Sequence, residues 1–207
     1  MYRKFIFLLI NFFLNNKLIF KIKCSKFKTL NYSYDFLNVT FENFDELKEI
    51  LLSKKYFNKI YYDEKSYNYH TFGWLNVAKK IGGANVISIA KHQIINWNNK
   101  KYKIYSFVWN NELIAKRLIN LIFNYDFYAI SATNDEKEEF RLIILKHYFI
   151  LKLQMKFTRN KNEQPIEITK ALLLFHFINK IPTNKIFKQM NIQLNTHVNV
   201  DGLHKSI

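Results

Sequence analysis

The sequence predicts an all-α chain, and three observations carry that prediction. Only two prolines (Pro165 and Pro182) and four glycines interrupt 207 residues. Breakers this sparse suit helices better than the many turns of a β-sandwich. Apolar residues recur at helical spacing in one segment after another. The chain is 49% hydrophobic and 17% aromatic, which is ample for one folded domain with its own core and unlike a disordered composition.

Taken in order, residues 1–30 carry seven basic and no acidic side chains. Arg3 and Lys4 precede an apolar run over 5–14 that Asn11 breaks. The run looks like the front of an export signal, but no small-residue cleavage site follows, and it is too short for a membrane span, which takes about 20 residues. It reads either as a basic amphipathic helix, packed on the domain or lying on a membrane surface through residues 1–23, or as a signal. A short extended piece over 35–41 closes this first segment, residues 1–42. The helical domain then occupies 43–207.

Within it, Phe44, Leu47, Ile50 and Leu51 predict a helix over 43–54, with Asp45, Glu46 and Glu49 early, where the helix dipole favours them. The tyrosine-rich stretch 56–68 reads as irregular. A helix over 69–81 ends at Gly82 and Gly83, a suitable C-cap. The next, over 84–97, places Val86, Ile89, Ala90, Ile94 and Trp97 on one stripe. The segment 111–124 does the same with Leu113, Ala115, Leu118, Ile119 and Ile122. The longest helix, 135–157, has an acidic first turn and Lys152 and Lys156 late. Pro165 suits the start of a helix over 166–179, and a last helix runs from about 182 to 195. Helices of this length on short loops suggest antiparallel pairs.

The net charge is +16, from 32 basic and 16 acidic residues. Only Arg3, Arg117, Arg141 and Arg159 are arginines. The lysines are scattered and accompany abundant Asn, Ile, Phe and Tyr, the residues of A/T-rich codons. A solvated basic surface therefore explains the charge better than a nucleic-acid face, and no specific nucleic-acid partner is expected. An acidic polysaccharide would exploit the same positive field. The single cysteine, Cys24, forms no intramolecular disulfide and leaves the redox compartment open. No CxxC or HExxH spacing occurs, so no metal or other cofactor is expected.

Few residues stand out as chemistry-bearing. His147, on the stripe of Phe140, Ile143, Ile144 and Leu151, fits a hydrogen-bonded core histidine, as does His176 between Phe175 and Phe177. His70, His92 and His197 carry no signal. Trp74, Trp97 and Trp109 could stack on sugars, although core packing is the commoner use of such rings. Trp109 is the better sugar candidate, in a polar loop before Asn110 and Asn111. Arg117 is either a planar fork for a carboxylate or half of a buried salt bridge. The closing run Val200, Asp201, Gly202, Leu203, His204 puts a histidine just beyond a cheap turn, positioned by backbone rather than by a flexible stem.

The order of these residues carries more than any one of them. Tyr69, His70, Thr71, Phe72, Gly73, Trp74 and Leu75 are followed by Gly82 and Gly83, then Trp97, Trp109, and Arg117, Leu118, Ile119 and Asn120. After a long helix and a Pro165-led one come Leu194 and Asp201, Gly202, Leu203, His204, Lys205, Ser206. Over residues 45–206 the series resembles the N-terminal helical region of the heparinase II/III-like polysaccharide lyases of bacteria. That region has an F-x-W-L helix, spaced tryptophans, an arginine-led helix and a D-G-G-H-x-S turn. Leu203 stands where the family has its second glycine, and Ile207 follows Ser206. The resemblance implies an incomplete α/α toroid of antiparallel helical hairpins, cut short before the family's C-terminal β-sandwich domain. It also implies β-elimination of a uronic-acid glycan in the bacterial cytoplasm or periplasm. His204 matches the toroid residue that neutralises the uronate carboxylate, while Trp109, Arg117 and Trp74 would bind substrate. The family's tyrosine lies further along the chain and its second histidine in the missing domain, so little activity is expected of this chain alone. The rival reading is a non-enzymatic helical module that binds polyanions or protein partners through a basic surface.

Overall fold

The computed structural model describes residues 67–100, 102–103, 106–157 and 165–197. The expectations for the basic segment 1–42, Cys24, the helix over 43–54 and the closing turn with His204 lie outside these residues. Among the described residues the chain is all-helical: α1 Tyr67–Thr71, α2 Trp74–Ile81, α3 Ala84–Asn99, a 3-10 turn Phe107–Trp109, α4 Asn111–Phe123, α5 Tyr125–Ala129, α6 Asn134–Phe157, α7 Ile166–Ile178 and α8 Asn184–His197.

One expected helix is two. The segment 69–81 breaks at Phe72, whose φ of 59° is left-handed. Gly73, the obvious breaker, has an ordinary φ of −57°. A non-glycine residue in that region costs about 1–2 kcal/mol. Here the cost is offset by what the turn accomplishes: it drives the Phe72 ring to full burial, edge-on to Trp74 and Trp97. Gly82 (φ 66°, ψ −168°) and Gly83 (φ 87°, ψ 151°) then turn the chain between α2 and α3. That region of backbone space is essentially glycine's alone.

Three other points differ from the sequence expectations. Trp109 stands in a 3-10 turn, with its ring buried, rather than in a polar loop. The five-residue α5 is too short to register as periodicity; it pivots on Asn124 and packs on α3. Ile89, expected on the core stripe of α3, is only partly buried, while Val86, Ala90, Ile94 and Trp97 are buried as expected.

The start of α6 is fixed by a reciprocal cap. The Glu136 backbone N–H donates to Thr133 Oγ1 at 3.2 Å, and the Thr133 N–H donates to Glu136 Oε2 at 2.7 Å. This T-x-x-E box satisfies two N–H groups that the helix leaves unpaired. It also holds the Glu136 carboxyl below its usual pKa, with Lys91 of α3 assisting at 3.1 Å. At the other end of α7, Lys180 takes φ 52° and two bonds close the turn, Lys180 N–H to Phe177 O at 3.1 Å and Ile181 N–H to His176 O at 2.9 Å. That is a Schellman turn with lysine in glycine's usual place.

The helix α4 is the centre of the assembly, touching α1, α2, α5, α6, α7 and the 3-10 turn. Leu113, Ile114, Ala115, Leu118, Ile119, Leu121 and Ile122 are all buried, so the helix is covered nearly all round, as a helix apolar on every side must be. No described helix is long and apolar enough to cross a membrane.

Candidate functional site

Several buried polar groups of the core converge on Arg117. Its helix starts where the Asn110 side chain accepts the Glu112 N–H at 2.9 Å, a standard N-cap. Two turns on, Arg117 points inward and is fully buried. Nη1 donates to the His70 carbonyl at 2.6 Å, Nη2 to the Val108 carbonyl at 3.0 Å, and Nε to His147 Nε2 at 2.7 Å. The first two acceptors belong to chain ends. His70 lies in the last turn of α1, where carbonyls lack an intrahelical partner, and Val108 lies in the 3-10 turn. Three residues further along α4, Asn120 Nδ2 donates to the Thr71 carbonyl at 2.9 Å. Arg117 and Asn120 thus cap the helix end that Phe72 breaks.

The imidazole of His147 is fixed by both nitrogens. Nδ1–H donates to the Ile143 carbonyl at 2.7 Å, which leaves Nε2 to accept from Arg117. Burial first, then the Arg117 charge, push its pKa well below the ordinary value, with Lys146 adding in the same direction. The ring is therefore neutral at pH 7. Burial likewise lowers Arg117 to about 9, still far enough above neutral that the guanidinium keeps its charge.

Aromatic rings wall this cation in. Arg117 Cζ lies 4.1 Å from the Trp97 ring centroid and 5.4 Å from that of Trp109, distances at which the ring quadrupole attracts a cation. Trp97 Nε1–H donates to His70 Nδ1 at 3.0 Å, and Trp109 Nε1–H to the Tyr102 carbonyl at 3.0 Å. Gln154 of α6 donates to the Trp109 carbonyl at 3.1 Å. Beside the ring of Trp109, 5.3 Å from its centroid, sits the ammonium of Lys146.

Comparison of the chain with protein-family models, curated proteins and solved structures finds no match.

The residues singled out from the sequence are thus placed as follows. Trp109 and Arg117 are in the hub, Trp74 packs nearby against Phe72, and all three side chains are buried. Arg117 meets three acceptors and, among the described residues, no carboxylate, so neither the free fork nor the salt bridge describes it. His147 is the hydrogen-bonded core histidine its stripe predicts. Sequence reasoning overlooked His70, whose carbonyl and ring both serve the hub, and Lys146, which no local motif marks. A second polar cluster also went unread: Tyr148 Oη lies 3.0 Å from His176 Nε2 and accepts from Lys152 Nζ at 3.1 Å, while Tyr148 stacks on Phe175 with centroids 3.7 Å apart. No group of three or more His, Cys, Asp or Glu side chains among the described residues is placed to hold a metal ion.

Proposed function

We propose that this chain is the toroid-type helical portion of a polysaccharide lyase that resembles the heparinase II/III-like family and binds a uronic-acid glycan. One observation supports the reading: several of the residues whose order carries the resemblance, between His70 and Asn120, meet in space. Phe72, Trp97 and Trp109 ring Arg117, which takes the His70 carbonyl, and Asn120 takes that of Thr71. A motif series selected for one scaffold would behave in this way. On this reading Trp74 and Arg117 act on substrate indirectly, by fixing the helical scaffold.

The chemistry follows from the substrate class. A carbon acid beside a carboxylate loses its proton only if the developing charge is neutralised. A base then takes the proton, the C–O bond on the next carbon breaks as C=C forms, and an acid protonates the departing oxygen. His204 is assigned to the carboxylate.

The experiment is binding of the chain to hyaluronan and alginate, against DNA of matched charge, over a salt series. It is paired with ultraviolet detection of unsaturated product and repeated on His204→Ala. Preference for the uronate glycans, weakened in the variant, supports the reading. Equal, salt-sensitive retention of DNA and glycan that ignores His204→Ala overturns it in favour of a general polyanion-binding module.

A further inference from the structure

Among the described residues, two cations share one end of the hub without an anion. Arg117 is fully buried, and Lys146 is partly exposed beside the same tryptophan. The ion pairs Lys79–Asp126, Lys91–Glu136, Lys116–Glu112 and Arg141–Glu138 all lie elsewhere. Among the described residues no carboxylate reaches either cation. Among the described residues the polar partner of Lys146 is the side chain of Asn98, whose Oδ1 accepts at a long 3.3 Å. Asn98 lies in the last turn of α3, and a helix end supplies only about half a unit of negative charge. Burial and the Arg117 charge accordingly lower the Lys146 ammonium to about 8.

An exposed lysine without a partner is ordinary, because water serves it. Lys146 differs in its setting: one face is closed by the Trp109 ring and a second, permanent cation lies behind it. An anion arriving from solvent would gain from both charges, in a place where aromatic walls reduce screening. Arg117 has its fork engaged on three acceptors and contributes field alone, so Lys146 is the group that makes contact. The Asn98 amide, once its oxygen is released from Lys146, offers a second donor in its NH2 group.

We propose that Lys146, Asn98 and the wall of Trp109 form a binding subsite for the carboxylate of an acidic sugar. The ligand class rests on the glycan reading above; the site rests on the charge that no described carboxylate neutralises and on its geometry.

The test is titration of the whole chain with a hyaluronan tetrasaccharide and with the neutral cellotetraose, followed by calorimetry and tryptophan fluorescence. It is run on wild type, Lys146→Gln and Lys146→Arg. A charge-assisted hydrogen bond predicts that Lys146→Gln weakens the acidic tetrasaccharide by about tenfold or more, that Lys146→Arg retains most of the affinity, and that cellotetraose does not compete. Thermal melts of the variants matching wild type show that the loss is not unfolding. Binding unchanged by Lys146→Gln, equal binding of the neutral sugar, or no binding of the acidic one overturns the subsite. Unsaturated product formed equally by wild type and Lys146→Gln would overturn the subsite while leaving the lyase reading in place.

Discussion

The two ends of the described chain solve opposite problems. Around Arg117 a full charge is buried and every partner is polar: two orphan carbonyls and a neutral imidazole. At the α7–α8 end several large apolar residues are on the outside, with Phe177 61% and Phe187 49% exposed and Ile192 and Leu194 exposed in α8. There a buried polar pair ties α8 to α7, Thr169 Oγ1 donating to Gln193 Oε1 at 2.6 Å. The difference teaches that burial here follows hydrogen-bond geometry as much as hydropathy. A guanidinium is tolerated inside because its fixed fork matches acceptors that would otherwise be unsatisfied.

The largest expected effect breaks the hub. Arg117→Met keeps the apolar stem and removes the fork, leaving the His70 and Val108 carbonyls and His147 Nε2 without donors. Each buried acceptor left short of a donor costs about 1–3 kcal/mol, so the loss is a large share of a domain's stability. Urea denaturation measures it. A loss below about 1 kcal/mol would mean that water or relaxed backbone supplies the missing donors.

The matching break at the other end is smaller. Thr169→Val removes the donor that Gln193 Oε1 accepts from and should cost about 1–3 kcal/mol. Adding Gln193→Leu removes that acceptor, so the double variant should recover part of the loss. If the double variant is as unstable as the sum of the singles, packing rather than the hydrogen bond holds α8 in place.

Much of this was readable in advance, and the failures have physical causes. The helices α3 and α4 follow from apolar spacing, α6 from its charged ends and the stripe of Phe140 to Leu151, and α7 and α8 from the prolines at their starts, Pro165 and Pro182. The break at Phe72 was illegible because the residue that takes positive φ is not the glycine beside it. The role of Arg117 was illegible because its acceptors lie 9 and 47 residues away and are backbone carbonyls, which have no sequence signature. The Thr133 to Glu136 box, by contrast, is a local pattern that marks the α6 start and was there to be read. His204, the residue on which the catalytic reading rests, lies outside the described residues.

Acid should loosen the hub before the rest. Free imidazole titrates near 6.5 and that of His147 well below it, so between these values the unfolded chain binds the extra proton. Stability from this group is complete above pH 6.5 and is lost as pH falls, by about 1.4 kcal/mol per unit once below that value. His176, partly exposed and shifted the same way, adds a smaller loss of the same sign. Urea melts at pH 7.5 and 5.5 should differ by somewhat more than about 1.4 kcal/mol. In His147→Gln, whose side-chain oxygen can still accept from Arg117, most of that difference should vanish. An unchanged difference would place the acid-sensitive group elsewhere.

The smallest effect is a gain at the α7–α8 turn. Lys180 holds φ 52° because the Schellman bonds from Lys180 N–H and Ile181 N–H require a left-handed residue at that position. Lysine incurs the left-handed penalty of about 1–2 kcal/mol there, whereas glycine does not. Glycine loses about 0.5–1 kcal/mol more backbone entropy on folding. The difference leaves Lys180→Gly stabilising by about 0–1.5 kcal/mol, read as a rise in denaturation midpoint at constant slope. The Lys180 side chain is exposed, so its removal strands no buried partner. A destabilised Lys180→Gly would show that the turn is held by the lysine side chain rather than by its backbone. The contrast between a polar-locked hub and a loosely tied α8 would then lose one of its two supports.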